Sequence, residues 1–146
     1  MDSPFKFLRQ NEWDVLLAKA EQKVFKPDEV ILRMGDKPSG IYIIQKGSAK
    51  VVRDEFGFQL AIAEYKPGAI FGEMSFIEAE PANAAVVAQE LCGIVMISHG
   101  VVQEIIGQNP GFFGRFFQSL AYILSQRLRA TTSRLGAGSD WQATND

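Results

Sequence analysis

Between residues 22 and 97 the hydrophobic positions come in short bursts of β-branched and aromatic residues, each closed by a turn signal. Lys23-Val24-Phe25 stops at Pro27-Asp28, Glu29 to Arg33 stops at Gly35-Asp36-Lys37-Pro38, and Ile41 to Gln45 stops at Lys46-Gly47. Ala49 to Arg53, Gln59 to Tyr65, Ala84 to Gln89 and Cys92 to Ser98 continue the series. Strands this short and this regularly spaced predict an antiparallel sandwich, jelly roll or barrel rather than βαβ units. One segment, residues 72–78, lacks alternation and predicts a single helical turn inside a long connection, a common position for a binding site.

Helical periods flank the strands. Trp13, Leu16, Leu17 and Ala20 recur at helical spacing, with Asn11 as the expected N-cap and Asp14 at the third helical position. Ser98 predicts a second N-cap, ahead of Val101, Val102, Ile105 and Ile106, with Gly107 and Pro110 closing that helix. From Phe112 onward, Phe117, Ala121, Leu124, Leu128, Thr131 and Leu135 form a two-position heptad seam that ends at Gly136-Ala137-Gly138-Ser139. Such a seam needs a partner, and the same helix of a second copy is the expected one; folding back onto its own domain is the alternative. The organisation predicted is a helix and β-roll over 1–110, a dimerisation helix over 111–136 and a flexible tail over 137–146.

Composition narrows the class. A chain of 146 residues with 47% hydrophobic and 22% charged residues fits one globular domain and excludes disorder or a polybasic arm as a description of the whole. A single cysteine, Cys92, cannot form an intrachain disulfide or supply a multi-thiolate metal site. No apolar stretch long enough to span a membrane and no leader-type segment occurs, so the expected setting is cytoplasmic. The net charge of −2 hides an uneven distribution: residues 105–139 hold four arginines and no acid, and none of the 48 residues between Lys66 and Arg115 is Lys or Arg. Those four arginines are expected to form a solvated helix face.

No catalytic constellation emerges. His99 is the sole histidine, and it sits at a strand-to-helix junction beside Ser98, which suits a cap better than a nucleophile. Cys92 lies in an apolar run and is expected to be a buried core thiol. Glu73, Glu78 and Glu80 could pair as acid and base, but a solvated acidic loop is commoner. Phosphate loops of the Walker or GxGxxG type are missing. No enzyme and no metal site is predicted.

Two groups of residues resemble the cyclic-nucleotide-binding domain family. The first is Ile31 to Asp36 followed by Gly40-Ile41-Tyr42-Ile43-Ile44-Gln45-Lys46-Gly47, where Gly35 and Gly47 suit turns of positive φ. The second runs from Phe71-Gly72-Glu73-Met74-Ser75 through Pro81-Ala82-Asn83-Ala84-Ala85-Val86 and resembles the family's phosphate-binding cassette. The resemblance implies an antiparallel β-roll, mainly β with flanking helices (α+β), and a small-molecule pocket. In that pocket, backbone N–H groups hold a cyclic phosphate and Glu73 accepts from the ribose 2′-hydroxyl. The last helix resembles the dimerising helix of catabolite-activator-type transcription factors, which implies that Thr131 and Thr132 approach the purine. Only eleven residues follow Leu135, so a helix-turn-helix reader is not expected in this chain.

The departure from the family pattern is specific. Counting from Gly72-Glu73, the phosphate-pairing arginine of the family falls at Ala82 and its usual hydroxyl neighbour at Ala85, and no realignment within residues 67–114 recovers a cation. A lost charged hydrogen bond of roughly 1.5–3 kcal/mol, with further coupling across a desolvated site, predicts cyclic nucleotide binding weakened about ten- to a thousandfold. Backbone donors near Met74 and Ser75 and the Asn83 amide remain. The expected function is therefore a non-enzymatic regulatory or sensor module with weakened or altered ligand binding, cAMP, cGMP or another nucleoside-like molecule being the candidate ligand. Alternatives are a protein–protein scaffold with a vestigial pocket and, more remotely, a DNA-binding regulator using the basic last helix. The expected partners are a second copy and an output protein, with no nucleic acid and no membrane.

Overall fold

The computed structural model describes residues 1–73 and 80–137, with side chains to residue 133. A helix, α1 (Gln10–Lys19), precedes eight strands: β1 (Glu21–Phe25), β2 (Val30–Leu32), β3 (Gly40–Lys46), β4 (Ala49–Glu55), β5 (Phe58–Tyr65), β6 (Ile70–Phe71), β7 (Ala85–Ala88) and β8 (Cys92–Ser98). Helices α2 (His99–Gln108) and α3 (Pro110–Ala137) follow. The strands form two four-stranded sheets, β1-β8-β3-β6 and β2-β7-β4-β5, paired antiparallel throughout. The antiparallel two-sheet architecture agrees with the strand spacing, and its form is the β-roll that the family resemblance implies.

The central strands of the first sheet, β3 and β8, are covered on both faces, and their sequence shows why. Ile41, Ile43, Val95 and Ile97 point to a core shared with Trp13, Leu16, Val102, Ile105, Phe112, Phe116 and Leu120 of the helices. Their neighbours Tyr42, Ile44, Ile94 and Met96 point the other way, to a core between the sheets that also holds Phe71, Val86 and Cys92. Two buried faces demand two apolar sets, so β3 and β8 read as continuous hydrophobic runs. Gly47, at φ 81°, turns β3 into β4 where a Cβ would lie 2.3 Å from the Leu91 carbonyl oxygen. Neither the turn nor the contact tolerates a side chain.

Three helix details differ from the sequence expectation. The cap of α1 is Arg9 rather than Asn11, and its N–H donates to the Glu12 carboxylate at 2.9 Å, so Glu12 does the work expected of Asp14. Pro110 opens α3 instead of merely closing α2: Ser98 Oγ accepts from Val101 N–H at the start of α2, Asn109 N–H closes it onto Ile105, and α3 begins at the next residue. A proline at the first helical position has no N–H to leave unpaired.

The arginines depart furthest. Arg129 is exposed, as expected, but Arg115 reaches the buried Glu12 through Nε at 2.9 Å and Nη2 at 2.6 Å, and Arg127 turns into the domain. The four arginines are thus no uniform solvated face. Arg134 lies where side chains are not described. On α3, Phe112, Phe116, Ser119 and Leu120 are buried against the domain, and Ser119 Oγ accepts from Phe7 N–H at 3.0 Å. Of the seam residues, Phe117 and Leu124 are half-buried, Ala121, Leu128 and Thr131 are exposed, and Leu135 is outside the described side chains.

Candidate functional site

A cavity of about 290 Å³ opens between the end of β6 and the β2-β7-β4-β5 sheet. Phe71 and Tyr65 form one wall. Phe71 stacks on Tyr42 at 5.1 Å and on Tyr65 at 5.4 Å, with ring planes 8° and 16° apart, so three aromatic rings run from the core to the cavity. Burial pushes the Tyr65 phenol up from its ordinary pKa, with the Glu73 charge adding in the same direction and Arg127 opposing. Leu32, Val51 and Val86 supply an aliphatic wall from three strands.

The rim is polar and anchored by backbone. Ala82 exchanges two hydrogen bonds with the β2–β3 connection, donating to Asp36 O and accepting from Gly35 N–H, both at 2.8 Å. That exchange holds residues 80–84 against the cavity. Gly72 sits at φ 83°, and a Cβ there would come within 2.7 Å of the Gly40 carbonyl oxygen. The chain can therefore make its close turn out of β6 only with glycine, which delivers Glu73 into the cavity wall.

Glu73 is 4% exposed, and its Oε1 accepts from Nη1 of Arg127. The Arg127 Cζ also lies 5.6 Å from the centre of the Tyr65 ring. A carboxylate and an aromatic face together hold the guanidinium, the combination that suits arginine better than lysine. One helical residue thus ties α3 to the cavity.

Among the residues singled out from the sequence, Phe71, Gly72, Glu73, Ala82, Asn83 and Ala84 all line the cavity. Ala85 does not line it, because β7 alternates and Ala84 and Val86 take the inward positions. Thr131 and Thr132 are exposed on α3, away from the cavity wall. Met74 and Ser75, with most of the expected helical turn, lie outside the described residues. Sequence reasoning missed Arg127 and Tyr65. The pairing of Arg127 with Glu73 spans 54 residues, so no spacing rule exposes it; the available hint was an acid in a cation-free stretch, which needs a base from elsewhere if buried. Among the described residues there is no group of three or more His, Cys, Asp or Glu able to hold a metal. Cys92 is fully buried, its Sγ 3.0 Å from the Ser48 carbonyl oxygen, and burial raises its pKa.

The architecture is a two-sheet β-roll with a cleft of small-molecule size, its wall tied to the C-terminal helix through Glu73 and Arg127, and the relatives specify its class. Residues 22–109 match the sequence profile described as Cyclic nucleotide-binding domain. The chain belongs to this family. It is 27% identical over 127 residues to the "cAMP-activated global transcriptional regulator CRP" of Salmonella typhimurium, a match that covers 86% of this chain and 58% of that protein. Among solved structures, the Thermus thermophilus catabolite activator protein superposes with a TM-score of 0.76 at 26% identity, covering 92% of this chain and 62% of that one. A cyclic nucleotide-binding domain from Methylobacillus flagellatus superposes with a TM-score of 0.82 at 23% identity, covering 90% and 75%. The chain spans about 58% of the length of the CRP and Vfr regulators that it matches. Among the described residues, no helix is long and apolar enough to cross a membrane.

Proposed function

We propose that this chain is a non-enzymatic sensor module in which occupancy of the cleft sets the position of α3, and that α3 pairs with a second copy and presents the result to an output protein. The observation that carries this reading is the Arg127–Glu73 contact. Glu73 is the residue that the family pattern assigns to a ribose hydroxyl, and here it also holds the helix. A ligand hydroxyl that reaches Glu73 must share its carboxylate with Arg127 or displace the guanidinium, so binding and helix position draw on one pair of groups.

Cyclic nucleotide binding is weakened in this reading. Ala82 offers no charge at the cleft rim, and Arg127, which reaches Glu73 of the wall from α3, is engaged by that carboxylate. Relatives named as cAMP-activated regulators support the sensor class.

The test of the coupling needs no ligand. In hydrogen exchange by mass spectrometry, Glu73→Gln and Arg127→Gln should each speed exchange of α3 backbone amides beyond residue 123 by about tenfold or more, leaving residues 110–120 unchanged. That lower half is held by packing and by Ser119 and serves as the internal reference. Unchanged exchange beyond residue 123 in both variants would refute the coupling.

A further inference from the structure

Resting on the reading of the cleft as a ligand site, we infer that it selects an uncharged, hydroxyl-bearing ring compound of nucleoside type, and that a phosphate on such a compound counts against binding. The charges around the cavity carry this. Two carboxylates, Glu73 and Glu80, belong to its wall, and among the described residues the wall has no Lys or Arg of its own. Arg127 approaches over Tyr65, but it is paired with Glu73. Residues 67–114, which supply the wall from Phe71 onward, contain no Lys or Arg. Arg33 and Lys37, the bases nearest in sequence to Leu32 and Pro38, are exposed and outside the lining.

An anion placed here would leave water to sit beside two carboxylates, one of them already holding its cation, and among the described residues only neutral donors such as the Asn83 amide face it. A neutral ligand meets no such cost. Its hydroxyls can donate to Glu73 and Glu80, its acceptors can use the Asn83 amide, and its ring can lie against Tyr65 and the Leu32, Val51 and Val86 wall. The volume, at the low end of the roughly 300–1,000 Å³ typical of ligand pockets, suits one small molecule.

The experiment is calorimetric titration of the full chain with adenosine, guanosine, cyclic AMP and cyclic GMP. A nucleoside should bind at least tenfold more tightly than its own cyclic phosphate. Ala82→Arg should improve cyclic nucleotide affinity tenfold or more and abolish the preference for the nucleoside. Glu80→Gln, at an exposed rim residue, should improve cyclic nucleotide affinity severalfold and guards against misfolding of the arginine variant. A cyclic nucleotide that binds the unmodified chain as tightly as the nucleoside, or no binding by any of the four, overturns the ligand assignment. Neither result touches the coupling of cleft to helix, which stands or falls on the exchange behaviour of Glu73→Gln.

Discussion

Four hydrogen bonds converge on the Glu12 carboxylate, from Arg9 N–H, Asn109 Nδ2 and the Nε and Nη2 of Arg115, in a residue only 3% exposed. Hydrogen bonds from Arg115 are the main reason its pKa lies below the ordinary 4.5; Arg9 N–H and the nearby charges help, and burial opposes them. Because the folded state holds this proton less tightly than the unfolded chain, the stabilisation is complete above the ordinary glutamate pKa and fades as pH falls through the lower folded value. Thermal melts of the unmodified chain and Glu12→Gln should therefore differ by several degrees at pH 7, with the gap closing only as pH falls below the ordinary glutamate value and through the lower folded one. A constant gap across that range would show that Glu12 acts by shape alone. Phe56 presents the opposite case, a residue the fold tolerates rather than uses. It is 95% exposed at φ 53°, followed by Gly57 at φ 80° in the two-residue turn between β4 and β5. Positive φ at both positions suits Asn-Gly far better than Phe-Gly. Phe56→Asn should raise stability by about 0.5–1 kcal/mol in urea unfolding, and a loss would show that the ring has a packing role.

At the scale of elements, legibility followed the length of the apolar or alternating run: β5, mostly exposed, was read to within one residue, while the buried β6 was not. β8 is the run Cys92 to Ser98 as read from the sequence, and β3 extends the expected run by one residue at either end, because two buried faces leave no polar interruption. β6, only two residues long, is too short to show any period. The Ser98 cap was legible because its side chain acts three residues away, whereas the start of α1 was not, since Asn11 and Glu12 are both plausible local partners. Arg115 decides between them from 103 residues away. The site divides in the same manner. Phe71, Gly72, Glu73 and the 82–84 segment are local in sequence and could be read together, while the Arg127 contact exists only once α3 has been laid across the cleft. The heptad pattern of α3 marks one face, of which Phe117 also packs on the domain core; the fully buried contacts come from Phe112, Phe116 and Leu120, spaced four apart on another face.

For the whole molecule, those two faces of α3 set what the domain can do next. The helix is 28 residues long, about 42 Å at 1.5 Å per residue, and its first ten residues are fastened by Phe112, Phe116, Ser119 and the Arg115–Glu12 pair. Beyond them Leu128 is 68% exposed in line with Leu124 and Thr131, and Phe113, at the other end, is 52% exposed. An apolar seam left open beside a fully packed face is what a second copy of the helix would cover. Sedimentation equilibrium should show concentration-dependent dimers, and Leu128→Glu should weaken them at least tenfold, since a symmetric interface meets each substitution twice and would have to bury two unpaired charges. A single monomer mass at every concentration, or dimers indifferent to the glutamate, would rule out this seam. Arg127 and Leu128 are consecutive, about 100° apart around the helix, so the residue held by the cleft adjoins the residue offered to the partner. Reciprocity of linked equilibria then requires that, if Glu73→Gln frees Arg127 and shifts the helix, it also shifts the dimer constant, with no change at the seam itself.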